Sequence, residues 1–270
     1  MIKDVLVHVD GTRSGQRRLN FALALVKEHS AHLTAAHVVP PPDAPTVFKP
    51  SMIESATEAQ EERGASDADH ARRYFDQLPA SEVLAAWLDL SGDLAPELAK
   101  AARYADLVIV GQYERQTPVE RHPLSLAESL VLECGRPVLV IPGHVDMPHI
   151  RRVLIAWDGS VEAVRAIHDA LPLLRQSLPV VEIATIQEDG NASLQPLLGH
   201  LQHHGIEVVG GPQLPERDTA AEALSTRLKD GRFDLLVMGA YSRPAWLELL
   251  FGGTTPAALM QATVPILISH

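Results

Sequence analysis

The sequence contains little cysteine, few aromatic residues and few basic residues, and each shortage excludes a class of protein. Because Cys134 is the single cysteine, an intrachain disulfide and a cysteine-based zinc site are excluded, and a reducing compartment is expected. Aromatic residues make up 4% of the 270 residues, which leaves aliphatic side chains to pack the core. The 23 basic against 34 acidic residues give a formal charge of −11, which argues against binding to nucleic acid or to anionic membranes.

Long apolar runs are lacking as well. No run reaches the roughly 18 residues that a membrane-spanning helix needs. The apolar stretch Val5-Leu6-Val7 follows Met1 too closely to belong to an export signal. We therefore expect a cytoplasmic protein that contacts neither membrane nor nucleic acid, with its charge serving solubility.

An internal repeat organises the chain. VLVHVDGT at residues 5–12 resembles VLIAWDGS at 153–160, and each is a strand pattern that ends in Asp-Gly-Thr/Ser before a helical pattern. Further along, ADLVIVGQYE at 105–114 aligns with FDLLVMGAYS at 233–242, and RPVLVI at 136–141 aligns with VPILIS at 264–269. These two blocks share one offset and one order, which indicates a duplicated domain.

Strand and helix patterns alternate in both copies, which predicts an α/β fold of two tandem Rossmann-like domains. Each domain is expected to be a five-stranded parallel sheet with helices on both faces. We predict domains at residues 1–143 and 151–270, joined by a linker at 144–150. The expected strands lie near 4–9, 33–38, 82–89, 106–110 and 137–141, then near 152–157, 180–186, 206–210, 234–238 and 264–268. Between its second and third strands the first copy adds a Pro-rich loop at 40–50 and a charged helix over 54–75.

The candidate site follows the fourth strand of the second copy, over residues 239–255. Open α/β sheets bind ligands at the carboxyl ends of strands where the strand order reverses, and Gly239 there lets the backbone approach a ligand. Gly252 and Gly253 precede Thr254, whose hydroxyl suits a helix start. Such a start offers N–H groups and partial positive charge to a phosphate, and Arg243 can add a charge-assisted contact.

With these residues the chain resembles the universal stress protein family, of the UspA-like, tandem two-domain type, over nearly its whole length. ATP-binding members carry Gly, two residues, Gly, nine residues, then Gly and Ser/Thr; the matching positions here are Gly239, Ser242, Gly252 and Gly253, with Thr254 next. The resemblance implies an adenine nucleotide alpha hydrolase-like fold and binding of ATP or AMP, with or without Mg²⁺, in the second domain. It implies Asp158 near the ribose, the backbone of Ile186 at the adenine, and around the phosphates and ribose Gly239, Ser242, Arg243, Gly252, Gly253 and Thr254.

The first copy departs further from this pattern than the second. In the second, Ser242 replaces a glycine and Gly253 replaces Ser/Thr. The first copy keeps Asp10 and Gly111, but Glu114 and Leu124 stand at the second and third glycine positions. Because a carboxylate at 114 repels phosphate, we predict that the first copy is degenerate and serves structure and pairing.

The family resemblance implies a stress-response protein in which the nucleotide is a conformational or interaction signal. No catalytic residue set is recognisable, so any ATP hydrolysis is expected to be slow. One alternative is a scaffold that binds no nucleotide and acts through protein contacts; another is a pocket used for a lipid-like or metal-bound ligand. The RPVLVI and VPILIS segments are expected to pair as an intramolecular pseudo-dimer, and two chains can associate further as a homodimer.

Several residues fit two roles on sequence alone. Asp10 and Asp158 suit a ligand pocket or a turn that caps a helix, and Trp157 suits stacking on a base or filling the pocket. The helix positions of His200, His203 and His204 share a face that could hold a metal, with His144 or His149 as further ligands. Because no paired carboxylate or cysteine accompanies them, we predict a solvated face and no metal site.

Overall fold

A computed structural model describes residues 1–41, 50–79, 83–112, 126–145, 148, 150–186, 190–211, 213–214, 223–224, 226–230, 232–240 and 263–270. Its strands are β1 (Asp4–His8), β2 (His32–Val39), β3 (Ala85–Ser91), β4 (Leu107–Gly111), β5 (Val138–Ile141), β6 (Arg152–Trp157), β7 (Val180–Ile186), β8 (Gln213–Leu214), β9 (Leu235–Gly239) and β10 (Ile266–Ser269). Its helices are α1 (Arg13–His29), α2 (Pro50–Asp76), α3 (Leu94–Ala102), α4 (Leu126–Glu133), α5 (Val161–Ser177) and α6 (Gly190–His203).

All these strands form one ten-stranded sheet in the order β3-β2-β1-β4-β5-β10-β9-β6-β7-β8. The strands of each half, β1 to β5 and β6 to β10, run parallel to one another. The predicted α/β class is confirmed, and the two parallel sheets are continuous because β5 and β10 pair antiparallel, with Leu139 opposite Leu267. We call this β5–β10 pairing the seam. Since it is antiparallel, the carboxyl ends of the two sets of strands lie at opposite edges of the sheet.

Apolar layers cover both faces of the sheet, as the aliphatic composition of parallel strands requires. One layer packs helices α1 and α5 against the strands and includes Leu25 and Leu174. The other layer includes Leu98 of α3 and Leu130 of α4. In α5, alanines such as Ala166 lie against the sheet, whereas Val164, which its i, i+3 spacing to Ile167 predicts on the buried face, is 52% exposed.

The sequence repeat is matched by a repeated contact at the amino ends of the strands. The Asp106 carboxylate accepts hydrogen bonds from the backbone N–H groups of residues 3–4, at 2.7 and 3.1 Å. At the aligned position, Asp234 accepts from the N–H groups of residues 151–152, at 2.8 and 2.9 Å. The same residue type therefore ties β4 to β1 and β9 to β6.

The charged helix expected over 54–75 is present as α2, but the strand expected at 206–210 is displaced. Val208 bridges Val181, and the Val209 N–H and the Gly210 carbonyl hydrogen-bond to Val181 and Ile183, but residues 206–210 form no continuous strand. Gly210 has a φ of 110°, and a Cβ on Gly211 would overlap the backbone of Ile183. The two glycines interrupt the extended segment, so β8 begins at Gln213 as a short edge strand.

Candidate functional site

The candidate site of the C-terminal half lies at the carboxyl ends of β7, β6 and β9, and the strand order reverses between β6 and β9. Asp158 follows β6 directly, Ile186 ends β7, and Gly239 ends β9. The register pairs Trp157 with Thr185, which brings Asp158 level with Ile186. These three sequence-predicted residues therefore share the edge at which α/β sheets bind ligands.

The remaining predicted contacts are loop residues that lie outside the described residues: Ser242, Arg243, Gly252, Gly253 and Thr254. The same holds for Glu114 and Leu124 of the N-terminal half. Their roles stay predictions from sequence.

Asp158 is buried and shapes the turn between β6 and α5. Its Oδ1 accepts hydrogen bonds from the backbone N–H of Ser160 at 3.0 Å and from the Ser160 hydroxyl at 2.6 Å. The Ser160 Oγ in turn accepts from the N–H of Ala163 at 3.1 Å, which caps α5. Gly159 adopts a φ of 78°, which favours glycine. Asp158 thus fulfils the turn-and-cap role, and this role fixes its carboxylate at the edge where the strand order reverses.

Gly239 is the point at which α5 touches β9. A Cβ at this position would lie 2.5 Å from the Ala163 nitrogen and 2.6 Å from the Glu162 carbonyl carbon. Any side chain here would displace the first turn of α5 and the Asp158 turn with it. The close approach that Gly239 permits among the described residues is therefore that of a helix.

Trp157 is 3% exposed and belongs to the apolar layer under α1 and α5. Of the two roles that its sequence position suggests, filling the interior agrees with this burial. A ring so enclosed presents no open face on which a base could stack.

In the N-terminal half, Arg18 fills the equivalent space between the ends of β1 and β4. Its side chain is 5% exposed and its Nη2 lies 2.6 Å from Asp10 Oδ2. Its Nε donates to the His8 carbonyl at 2.6 Å, and a Cβ on Gly111 would overlap the guanidinium. Alignment of the two Asp-Gly-Thr/Ser turns puts Ala166 at the matching position of α5. One crevice is thus filled by a cation from its own helix, and its counterpart has a methyl group at that position.

Helix α2 covers the same crevice from above. Asp67 Oδ1 accepts from the Gly11 N–H at 2.8 Å, and the Tyr74 hydroxyl donates to the Gly11 carbonyl at 3.2 Å. Beside them His37 donates from Nδ1 to the Val9 carbonyl at 2.9 Å. These contacts tie α2 to the turn that follows β1, so the N-terminal half closes its own strand ends.

The pKa values of three titratable groups at this crevice are shifted from their ordinary values. Burial lowers the pKa of His8 to about 3, with Arg18 and His37 adding to the effect and Asp10 opposing it, so the imidazole is neutral. Burial alone would raise the pKa of Asp10, but the Arg18 guanidinium and the hydrogen bond from the Thr12 hydroxyl hold it well below its usual range. Asp67 has a raised pKa because burial and the nearby Asp10 charge outweigh its hydrogen bond from Gly11. The Arg18–Asp10 pair is therefore charged while His8 is not.

Arg18 is the principal site residue that sequence patterns do not single out. The sequence feature that could have identified it is its position on the buried stripe of α1, one turn after Gly15 and one turn before Ala22. Within the described ranges, no set of three or more His, Cys, Asp or Glu residues is placed to hold a metal ion. In the same part of the chain, no helix is both long and apolar enough to cross a membrane.

The continuous sheet, the paired Asp-Gly-Thr/Ser turns and the two reversal points define a Rossmann-like α/β protein in which the strand-order reversal occurs twice. The model of the universal stress protein family matches residues 1–142, and the chain belongs to this family. The matched segment contains the crevice that Arg18 fills.

Solved structures share the fold along the whole chain. A universal stress protein from Archaeoglobus fulgidus DSM 4304 is 18% identical, with a TM-score of 0.69 over 98% of this chain and 96% of that one. A functionally unknown protein from Pseudomonas aeruginosa PAO1 is 14% identical, with a TM-score of 0.55 over 99% of this chain and 92% of that one. No curated protein sequence gives a significant match.

Proposed function

We propose that the protein serves in stress response by binding an adenine nucleotide, ATP or AMP, in its C-terminal half. Asp158 would contact the ribose and the Ile186 backbone the adenine. Mg²⁺ would accompany ATP as a counter-ion of its phosphates. The phosphates would meet the loop that begins at Gly239 and continues through Ser242, Arg243, Gly252, Gly253 and Thr254.

The observation that carries this proposal is the difference between the two crevices. Both have an aspartate that accepts hydrogen bonds within the Asp-Gly-Thr/Ser turn where the strand order reverses. Only in the N-terminal half, among the described residues, is that aspartate paired with an arginine from the following helix. Because Ala166 stands where Arg18 would be, the C-terminal crevice has a methyl group where the N-terminal crevice holds a guanidinium, so the following helix places no cation at that position.

The nucleotide would act as a signal that biases the conformation or contacts of the protein. We assign no catalytic residue, and hydrolysis of ATP would be slow because the sequence contains no recognisable catalytic residue set. We further propose that it works in the cytoplasm, where a single cysteine would stay reduced.

Nucleotide release and titration test the proposal. The purified chain is denatured and its supernatant assayed for adenine nucleotide, and the nucleotide-free protein is titrated with Mg-ATP and AMP by calorimetry. We expect one nucleotide per chain and a rise in melting temperature. Absence of both nucleotide and thermal shift would refute nucleotide binding.

A pair of matched variants assigns the site. Gly252→Glu puts a carboxylate against the phosphates and should weaken binding by about a hundredfold or more. Leu124→Glu makes the aligned change in the N-terminal half and should leave the affinity unchanged. Loss of binding in the Leu124 variant instead would move the site to the first half.

The seam favours a second, structural role that does not require nucleotide. The β5–β10 pairing joins the last strands of the two halves, and we propose that it makes the chain an intramolecular counterpart of a dimer, able to act as a scaffold through protein contacts. If the titrations show no nucleotide, this role stands alone. Sedimentation of the chain would then show whether two copies associate further as a homodimer.

A further inference from the structure

Two histidines at the carboxyl end of α6 lie side by side. The ring centres of His200 and His204 are 4.6 Å apart, and the rings are inclined at 62°. The His204 N–H lies 3.3 Å from the His200 carbonyl, so the helical geometry continues one residue beyond α6. The two rings therefore project from one side of the chain, one turn apart.

This separation is the one that a shared metal ion requires. An imidazole nitrogen binds a late transition metal at about 2.0–2.1 Å, which places the centres of two rings on one ion about 4–5 Å apart. The helix already holds both ring centres at this separation, and because the rings meet edge to face, rotation about the side-chain torsions would bring one nitrogen of each ring to a shared ion. The sequence alone favours a solvated face for these histidines, and the ring separation is what changes that interpretation.

The charges around the histidine pair both favour and oppose the binding of a cation. A helix carboxyl end carries partial negative charge and favours a cation. Arg175 lies close enough to repel a cation there.

We propose that His200 and His204 form a two-imidazole binding site for a divalent late transition metal. Cu²⁺ binds most tightly, Ni²⁺ and Zn²⁺ less so, and Mg²⁺ is not bound, as imidazole ligands and the usual stability order dictate. Since no set of three ligating side chains occurs within the described ranges, water completes the coordination. The site is independent of the nucleotide crevice and does not depend on the function proposed above.

Copper titration of the full chain tests the site. Calorimetry and electron paramagnetic resonance of the wild type should show a Cu²⁺ site with two nitrogen donors. His200→Ala and His204→Ala should each weaken this site by about tenfold or more and leave a single nitrogen donor. Circular dichroism checks that both variants keep the helical content of the wild type.

His203→Ala is the matched control, because it removes an exposed imidazole from the same helix end but leaves the His200–His204 pair intact. It should keep both the affinity and the spectrum of the wild type. Equal loss in all three variants would mean diffuse copper binding by surface histidines and would overturn the proposal. So would unchanged affinity in the His200 and His204 variants.

Discussion

At the scale of single residues, one arginine fills the N-terminal crevice. Arg18 is almost fully buried, yet its guanidinium is satisfied by Asp10 and by the His8 carbonyl. Breaking such a pair costs more than its net contribution, because it leaves the remaining charge buried and alone. The polar groups around Arg18 therefore stabilise its buried position, even though an arginine interrupts the apolar stripe of α1.

His8 makes the stability of the protein depend on pH. Its pKa is about 3 in the folded chain against 6.5 for an ordinary histidine, so between these values the unfolded chain binds a proton that the folded chain does not. Stability contributed by neutral His8 is thus complete above pH 6.5 and is lost as the pH falls, with a slope of up to about 1.4 kcal/mol per pH unit. Chemical denaturation at steps from pH 6.5 to 4.5 should show this decline.

The variant His8→Gln isolates this contribution, because glutamine does not titrate. Its unfolding free energy should fall less steeply over the same pH range, with a residual slope from His29, whose pKa is lowered by burial and nearby positive charges. His32→Gln, which alters an exposed histidine, should keep the wild-type slope. A wild-type slope in the His8 variant would contradict the assignment.

At the scale of elements, helix α5 depends on Gly239 for its position. Gly239→Ala would place a methyl group 2.5 Å from the Ala163 nitrogen, and displacing α5 should cost about 1–3 kcal/mol of unfolding free energy. Gly199→Ala is the control, since its Cβ would meet nothing within 4 Å and alanine favours a helix by about 0.5–1 kcal/mol. Urea unfolding of both should give opposite signs; a neutral Gly239 variant would show that α5 can move freely.

The sequence predicts most elements because their signals are local. Buried parallel strands appear as aliphatic runs, and Thr12 and Ser160 mark the helix starts that they cap. The displaced β8 and the exposed Val164 are missed because close backbone contacts decide them, at Gly211 with β7 and at the alanines of α5 with the sheet. The role of Arg18 is missed for the same reason, since its partners become neighbours only after β1 and β4 pair.

At the scale of the whole molecule, the seam joins two halves that the repeat alone would leave separate. Leu139 and Leu267 face each other across it and both are fully buried. Each leucine-to-alanine change should cost about 2–5 kcal/mol, and the double variant should cost less than the sum by about 0.5 kcal/mol or more. Leu139→Ala combined with Leu201→Ala in α6 should be additive; additivity at the seam as well would mean that the two leucines do not interact.

The antiparallel seam also determines how the sheet depends on protein concentration. Two separate chains that met along such strands would part on dilution, since their association depends on concentration. Here β5 and β6 belong to one polypeptide, with only residues 142–151 between them, so both sides of the seam remain at a high effective concentration. The ten-stranded sheet should therefore stay intact even at a very low cellular concentration of the protein.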